Sequence, residues 1–392
     1  MTPAARFQAA IEILDQVVAA ARDNGPAADT LIARYFRDRR YAGSKDRRAV
    51  RDLAYAAIRR AGERPESGRA AMLGVVADQP ELAALFDGSP HGPMPIAEEP
   101  VAGAGLAPAW LMERLAHLDG AEQAALLDRA PLDLRVNRLK AGRDGVIGEL
   151  PGAVALGRVP DGVRLADGLA IDKHPLFLSG MVEVQDEASQ LVVAACAAAP
   201  GMTVVDLCAG AGGKALALAA AMANDGRLIA CDTDRTRLSR LTPRAERAGA
   251  AVETRLLNPG REMEVLHNLA GAADLVLVDA PCSGSGTWRR NPEARWRLTG
   301  VRLERLNALQ DHVLGLGAQL VRPGGQLVYA VCSVLHDEGA RRVDGLLAAA
   351  PDRWQPQPLP FDAGVEAGAG RMLTPGHDGT DGFFVARLAR TC

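Results

Sequence analysis

The spacing of apolar positions changes twice along the chain. In the first part Phe7, Ile11, Leu14 and Val18 recur at one-face helical spacing, as do Val50, Leu53, Ala54, Ala57 and Ile58. β-Branched runs are scarce before residue 70, so residues 1–86 read as a small helical bundle. Residues 87–105, DGSPHGPMPIAEEPVAGAG, are crowded with Pro and Gly and hold no period, which predicts a linker. Residues 110–127 read as helical again, and LDLRVNR at 132–138 alternates like a strand. Short strand-like pieces and turns follow to about Gly180, so residues 106–180 suit a small α+β module.

From residue 181 onward, apolar strands at 203–207, 228–231, 275–279 and 326–331 alternate with helical stretches. Such alternation predicts an α/β domain over 181–392, with a parallel sheet covered on both faces. Ligands bind such sheets beyond the carboxyl ends of the strands, where Asp206, Asp232, Asp279 and Cys332 fall. No internal repeat is visible.

At 392 residues the chain exceeds one ordinary core, in keeping with several domains. No apolar run is long enough to span a bilayer, and MTPAARFQAAIEILDQ lacks a signal-peptide core, so the cytoplasm is the expected compartment. The formal net charge of −3 does not announce a nucleic-acid partner, but its distribution points to one. Residues 34–60 carry Arg34, Arg37, Arg39, Arg40, Lys45, Arg47, Arg48, Arg51, Arg59 and Arg60 against three aspartates. A second basic stretch, 289–305, is interleaved with Trp288 and Trp296. One such stretch alone reads as a solvated helix face; two, one beside a candidate reactive Cys, favour an anionic substrate.

The six cysteines show no C-x-x-C pair and no zinc-like spacing, so neither a metal site nor a disulfide framework is expected. Cys196 and Cys231 lie in apolar surroundings and read as small buried hydrophobes. The glycine-rich run DLCAGAGGKA follows the strand at 203–207, and Gly210, Gly212 and Gly213 allow a sharp turn and close backbone approach to a ligand. The next strand ends in Asp232, placed to bind ribose hydroxyls. Ala215 follows Lys214, so the phosphate-loop pattern of nucleotide triphosphatases is absent. A dinucleotide remains possible on the loop alone; S-adenosylmethionine fits better with the thiols.

Cys282 follows a strand within LVLVDAPCSGSGTW, and Cys332 follows another within GGQLVYAVCS. Carbon 5 of cytosine is a poor nucleophile until a thiolate adds to carbon 6. The reaction then needs an acid at ring nitrogen 3 and a base for the hydrogen at carbon 5. Cys332, Asp279 and Cys282 can supply these three roles. A free thiol is only a few per cent ionised at neutral pH, so Lys214 or nearby arginines must help. A zinc pair is a weaker reading for want of further ligands. In DNA cytosine methyltransferases the nucleophile sits in Pro-Cys-Gln, whereas Pro281–Cys282 precedes Ser283.

Together DAPCSGSGTWRRNPEARW, LVYAVCS, RMLTPGHDGTDGFFVARL, GMVEVQDEASQL and LDLRVNRLK resemble motifs of the Sun (Fmu) family of RNA 5-methylcytosine methyltransferases. The resemblance covers nearly the whole chain and is weaker in the first hundred residues. It implies a Rossmann-like methyltransferase domain, a small RNA-binding module and an N-terminal NusB-like RNA-binding domain. It implies that Cys332 is the covalent nucleophile, Cys282 assists release of the methylated base, and Asp279 contacts cytosine. It places S-adenosylmethionine against Cys208, Ala209, Gly210, Ala211, Gly212, Gly213 and Lys214, with Asp232, Asn258 and Asp279. The implied substrate is RNA, first of all 16S rRNA, and nothing demands more than a monomer. Alternatives are tRNA, or an RNA-binding assembly factor with a vestigial site.

Three positions depart from the family pattern. Gly210–Ala211 replaces Ala-Pro, which predicts a looser turn. Asn258 replaces an Asp at the adenine edge, keeping hydrogen bonding without charge. Val331 replaces a Thr before the nucleophile.

Overall fold

The computed structural model describes all residues except 24, 166–168 and 392, so Cys392 lies outside the described residues. The chain forms two compact units: Met1–Asp128 with Thr287–Gly300, and Arg129–Gly286 with Val301–Cys392.

The first unit is built on the helices Pro3–Arg22, Ala28–Asp38, Ser44–Arg60 and Gly68–Asp78. Thr2 caps the first, accepting from the Ala5 N–H at 3.2 Å, with Pro3 in the first turn where no amide donor is missed. Phe7, Leu14, Val17, Val50, Ile58 and Met72 meet in its core. A Cβ at Gly68 would lie 2.2 Å from the Ile11 carbonyl oxygen, so only glycine lets the fourth helix start against the first.

Residues 87–105 are not a free linker. The Ala102 N–H donates to Ala70 O and the Gly105 N–H to Arg60 O, each at 3.0 Å. Arg69 grips Glu99 through two bonds of 2.6 and 2.7 Å. The segment lacks a period because its backbone bonds go to local turns, Gly88 N–H to Pro93 O and Gly92 N–H to Ser89 O, and to the two helices, not to a regular ladder. Residues 106–128 also fall in this unit, not in the middle module. The helix expected at 110–127 is broken into Ala109–Met112, Glu113–Leu115 and Gly120–Ala125.

The basic stretch at 289–305 is likewise corrected. Trp288 and Trp296 are 1% and 4% exposed, and Arg289 and Arg295 are 5% and 0% exposed. Arg295 Nη2 donates to the carbonyls of Ile58, Arg59 and Ala61, and Trp296 Nε1 donates to Ala61 O at 3.0 Å. These are orphan carbonyls at the end of Ser44–Arg60, where a cation also suits the helix dipole. Glu293 accepts from the Ala28 N–H, an orphan donor at the start of Ala28–Asp38. Arg295 and Trp296 therefore staple a helix end instead of facing an anionic partner, and Trp288 and Arg289 are buried; Arg302 and Arg305 remain exposed.

The second unit opens with β1 (Leu132–Val136), β2 (Val154–Ala155), β3 (Gly162–Leu165) and β4 (Val182–Val184), an antiparallel sheet in the order β2-β3-β1-β4. The polar residues of LDLRVNRLK are largely structural. Asp133 takes two bonds from Arg164, and Asn137 donates to the carbonyls of Gly180 and Ala248. Lys140 donates to Arg247 O, so this module docks on the end of the helix Leu241–Ala248.

The large sheet comprises β5 (Thr203–Asp206), β6 (Arg227–Asp232), β7 (Glu253–Leu256), β8 (Ala273–Asp279), β9 (Val321–Val331), β10 (Trp354–Gln357), β11 (Val365–Ala367), β12 (Gly370–Leu373) and β13 (Phe383–Arg390). Its order is β11-β12-β13-β9-β8-β5-β6-β7, with β10 on β13. Strands β5 to β9 run parallel, and β13 lies antiparallel to β9. The centre is buried on both faces, which is why Val204–Val205, 275–278 and 327–331 are unbroken apolar runs. Strand order reverses between β5 and β8, so their carboxyl ends frame the crevice where such sheets bind ligands.

Replacing Trp296 with Ala should destabilise the first unit by about 3–5 kcal/mol, the usual cost of emptying a buried Trp site. Urea unfolding followed by circular dichroism would measure this; an unchanged midpoint would return residues 289–305 to a surface role.

Candidate active site

The turn after β5 is clamped from several sides. Gly210 and Gly212 adopt φ of +55° and +86°, conformations open to glycine. Asp232, at the end of β6, accepts the Gly210 N–H at 2.7 Å and the Asp234 N–H at 2.7 Å. Arg244 donates to Ala211 O at 2.8 Å. A Cβ at Gly210 would lie 2.7 Å from an Arg237 guanidinium nitrogen. The turn is thus pinned at both Gly210 and Ala211, and the looser turn expected from the missing proline is not found. Gly213 starts the helix Gly213–Ala221, which carries Lys214 inward.

Lys214 Nζ donates to Asp279 Oδ2 at 2.6 Å and lies 5.2 Å from the centre of the Phe383 ring. Burial alone would lower the Lys214 pKa, but the Asp279 charge and hydrogen bond outweigh it, so the net shift is upward. The ammonium is therefore charged at neutral pH. Asp206 is 1% exposed, and neither carboxylate oxygen has a hydrogen-bond partner among the described residues. Burial, then the charge of Asp279, pushes its pKa up to about 7. Cys208 is half-buried, and burial followed by the Asp206 charge raises its pKa well above the usual thiol value.

Strands β8 and β9 are parallel neighbours with Asp279 opposite Ala330. The chains leaving them bring Cys282 Sγ and Cys332 Sγ to 3.3 Å. The hydrogen bond to Cys332, then burial, then the charge of Cys332 raise the Cys282 pKa well above its usual value. The Gly286 N–H donates to Cys332 O, and Gly286 O accepts from the Gly382 N–H at 2.7 Å. A Cβ on Gly286 would lie 1.9 Å from Gly382 O, so two glycines bring the backbones of the Cys282 loop and the segment before β13 together.

Cys282 and Cys332 thus lie together, and Lys214 pairs with Asp279 beside the glycine turn. Asp232 faces that turn from β6. Asn258 is exposed just beyond β7, after Leu257 donates its N–H to Asp232 O. Cys196 and Cys231 are buried core thiols. The sequence reading missed Glu338, Gln310, Ser283, Ser285 and Ser333, which join behind the thiols. Their only signal was the serine after each cysteine; Asp337–Glu338 before the helix Ala340–Ala349 looks like an ordinary acidic helix start. Among the described residues, no three His, Cys, Asp or Glu side chains are grouped to hold a metal, and no helix is long and apolar enough to cross a membrane.

A parallel sheet with a clamped glycine turn at its switch point is a Rossmann-like architecture with its ligand crevice at that turn. Residues 193–389 match the 16S rRNA methyltransferase RsmB/F family model, and the chain belongs to that family. It is 32% identical over 293 residues to ribosomal RNA small subunit methyltransferase B of Sodalis glossinidius, covering 73% of this chain and 66% of the relative. The solved structure of PH0851 superposes with a TM-score of 0.77 at 27% identity, covering 97% of this chain and 98% of that one. A methyltransferase homologue from Pyrococcus horikoshii gives a TM-score of 0.62 at 28% identity over 72% and 96% of the two chains.

Asp206 supplies a pH test. Its folded pKa of about 7 lies above the unfolded carboxylate value, so the folded state holds the extra proton. Stability is lost as pH rises through this interval, and the loss is complete above the folded pKa. Asp206→Asn should therefore gain on the wild type between pH 5 and pH 8, reaching roughly 2–4 kcal/mol at pH 8. Urea midpoints of both proteins across that range check this; a gap that does not change with pH would show that Asp206 is not protonated in the fold.

Proposed function

We propose that this chain transfers a methyl group from S-adenosylmethionine to carbon 5 of a cytosine in RNA, with 16S rRNA as substrate. The match to the curated relative spans 66% of that protein's length, so the reading rests on the site itself. The observation that carries it is the Cys282–Cys332 pair, 3.3 Å apart, beside the Lys214–Asp279 pair.

The residues present fit the cofactor. The glycine turn offers a ligand close approach, Asp232 suits ribose hydroxyls, and Asp206, Asp279 and Asn258 bring polar groups to the same edge. S-adenosylmethionine supplies an electrophilic methyl group there. The Cys332 thiolate adds to carbon 6 of cytosine while Asp279 contacts the ring. Carbon 5 then takes the methyl group. Cys282 removes the hydrogen at carbon 5 as a proton, and the carbon–sulfur bond breaks to restore the Cys332 thiolate. The resting Cys282 pKa is raised largely by Cys332 itself.

The helical unit serves as a NusB-like RNA-binding domain in this reading. Arg34, Arg37, Arg40, Lys45, Arg48 and Arg51 are exposed, and Tyr41 is 75% exposed beside them. Phosphate contacts of this kind add affinity without sequence choice. Free active-site thiols suit the reducing cytoplasm, and all the groups invoked come from one chain.

Cys332→Ala should abolish methyl transfer and leave S-adenosylmethionine affinity within about threefold, because it removes the nucleophile only. Cys282→Ala should accumulate a protein–RNA adduct that survives denaturing electrophoresis. Appreciable turnover by Cys332→Ala would overturn the nucleophile assignment. Reversing Arg34, Arg37 and Arg48 to Glu should weaken RNA binding and flatten the slope of log K against log salt by about one for each phosphate no longer neutralised. Filter binding at several salt concentrations checks this, and an unchanged slope would exclude the face from the interface.

A further inference from the structure

Glu338 is 0% exposed, and among the described residues no Lys, Arg or His lies within ion-pair distance of it. A buried carboxylate without a cation is costly unless hydrogen bonds replace its water. Here they do. Oε1 accepts from the Ser283 N–H at 2.8 Å and from Gln310 Nε2 at 3.0 Å. Oε2 accepts from the hydroxyls of Ser283 and Ser333, the latter at 2.6 Å. Every donor is tied to a thiol: Ser283 follows Cys282, Ser333 follows Cys332, and Gln310 also donates to Pro281 O at 2.9 Å, just before Cys282.

The network extends one step further. Ser333 Oγ lies 2.8 Å from Ser285 Oγ and accepts the Leu335 N–H, while Ser285 Oγ accepts the Val334 N–H. The Tyr329 hydroxyl donates to the Glu338 carbonyl at 2.7 Å and anchors the backbone that presents the carboxylate. Stability alone does not call for this arrangement, since well-packed apolar groups often replace buried charged networks without loss. What an apolar group cannot do is hold two loops in one register through four directional bonds.

We propose that Glu338 is the positioning residue of the thiol pair, a buried carboxylate that ties the Cys282 and Cys332 loops together so that both sulfurs reach one pyrimidine ring in succession. The kinetic part of this inference rests on the function proposed above; the geometric part does not. The two thiols must act on adjacent ring carbons, so a small separation of the loops takes one of them out of reach.

The test compares wild type, Glu338→Ala and Glu338→Gln as full-length proteins. Diamide takes two electrons and two protons from a close thiol pair and leaves a disulfide, so its rate of forming Cys282–Cys332, read by peptide mass spectrometry, reports their approach. Because disulfides require close Cα atoms, Glu338→Ala should slow this bond by about tenfold or more. Its kcat should fall by about 10²-fold, with KM for RNA and for S-adenosylmethionine within about threefold, as for a misplaced reacting group. Glu338→Gln keeps the volume and one acceptor, and should recover a large part of both rates. An unchanged disulfide rate in a folded Glu338→Ala protein would overturn the proposal. So would equal effects of Ala and Gln, or losses that track only the fall in melting temperature. If Glu338→Ala fails to fold, Ser283→Ala and Ser333→Ala remove single donors and must each slow the disulfide for the proposal to stand. A wild type without methyl transfer would sink the proposed function while the disulfide rates still decide the role of Glu338.

Discussion

Cys282 and Cys332 are 50 residues apart in the chain and meet because β8 and β9 run parallel and in register. Parallel neighbours leave a sheet at the same edge, so the segments after Asp279 and Val331 emerge side by side. The site needs this geometry before any of its chemistry matters. Lys214 reaches the same edge because the switch in strand order lies between β5 and β8, which puts the glycine turn beside Asp279. The thiol pair and the cofactor cradle are thus consequences of one sheet topology.

Electrostatics then sorts the groups that topology has gathered. Lys214 is buried yet its pKa is raised, because Asp279 outweighs the loss of water. Asp206 has no such partner bonded to it and is driven toward the neutral acid. Cys282 is held as a thiol chiefly by its neighbour Cys332. Three ionisable groups in one low-dielectric region therefore take different states, each traceable to a nearby side chain.

Away from the site, residues that look like surface recognition elements serve packing. Arg295 and Trp296 end the Ser44–Arg60 helix, Glu293 starts Ala28–Asp38, and Asn137 and Lys140 dock the small sheet on Leu241–Ala248. A guanidinium or an amide satisfies helix-end carbonyls as readily as it binds phosphate, so composition cannot separate the two uses. The exposed basic residues between 34 and 51 differ in burial, not in kind.

Local pattern in the sequence determined the central strands, the glycine turn, and the placement of Asp206, Asp232, Asp279 and Cys332 at strand ends, because period and strand direction are local properties. Apolar runs marked β5, β6, β8 and β9 within one or two residues at most ends; β9 begins five residues before its apolar run, at a Pro-Gly-Gly segment. β7, β10 and β11 are edge strands, half-exposed and mixed in polarity, and carried no such signal, whereas β12 and β13 lie inside the sheet and the apolar start of β13, Phe383–Val385, was passed over. Tertiary structure alone decided that residues 87–105 are anchored, that 287–300 belong to the helical unit, and that Glu338 is buried behind the thiols. Each of these depends on partners far away in the chain. A charged residue reads the same in sequence whether it faces water or accepts four hydrogen bonds in the interior, and only the fold brings those donors to it.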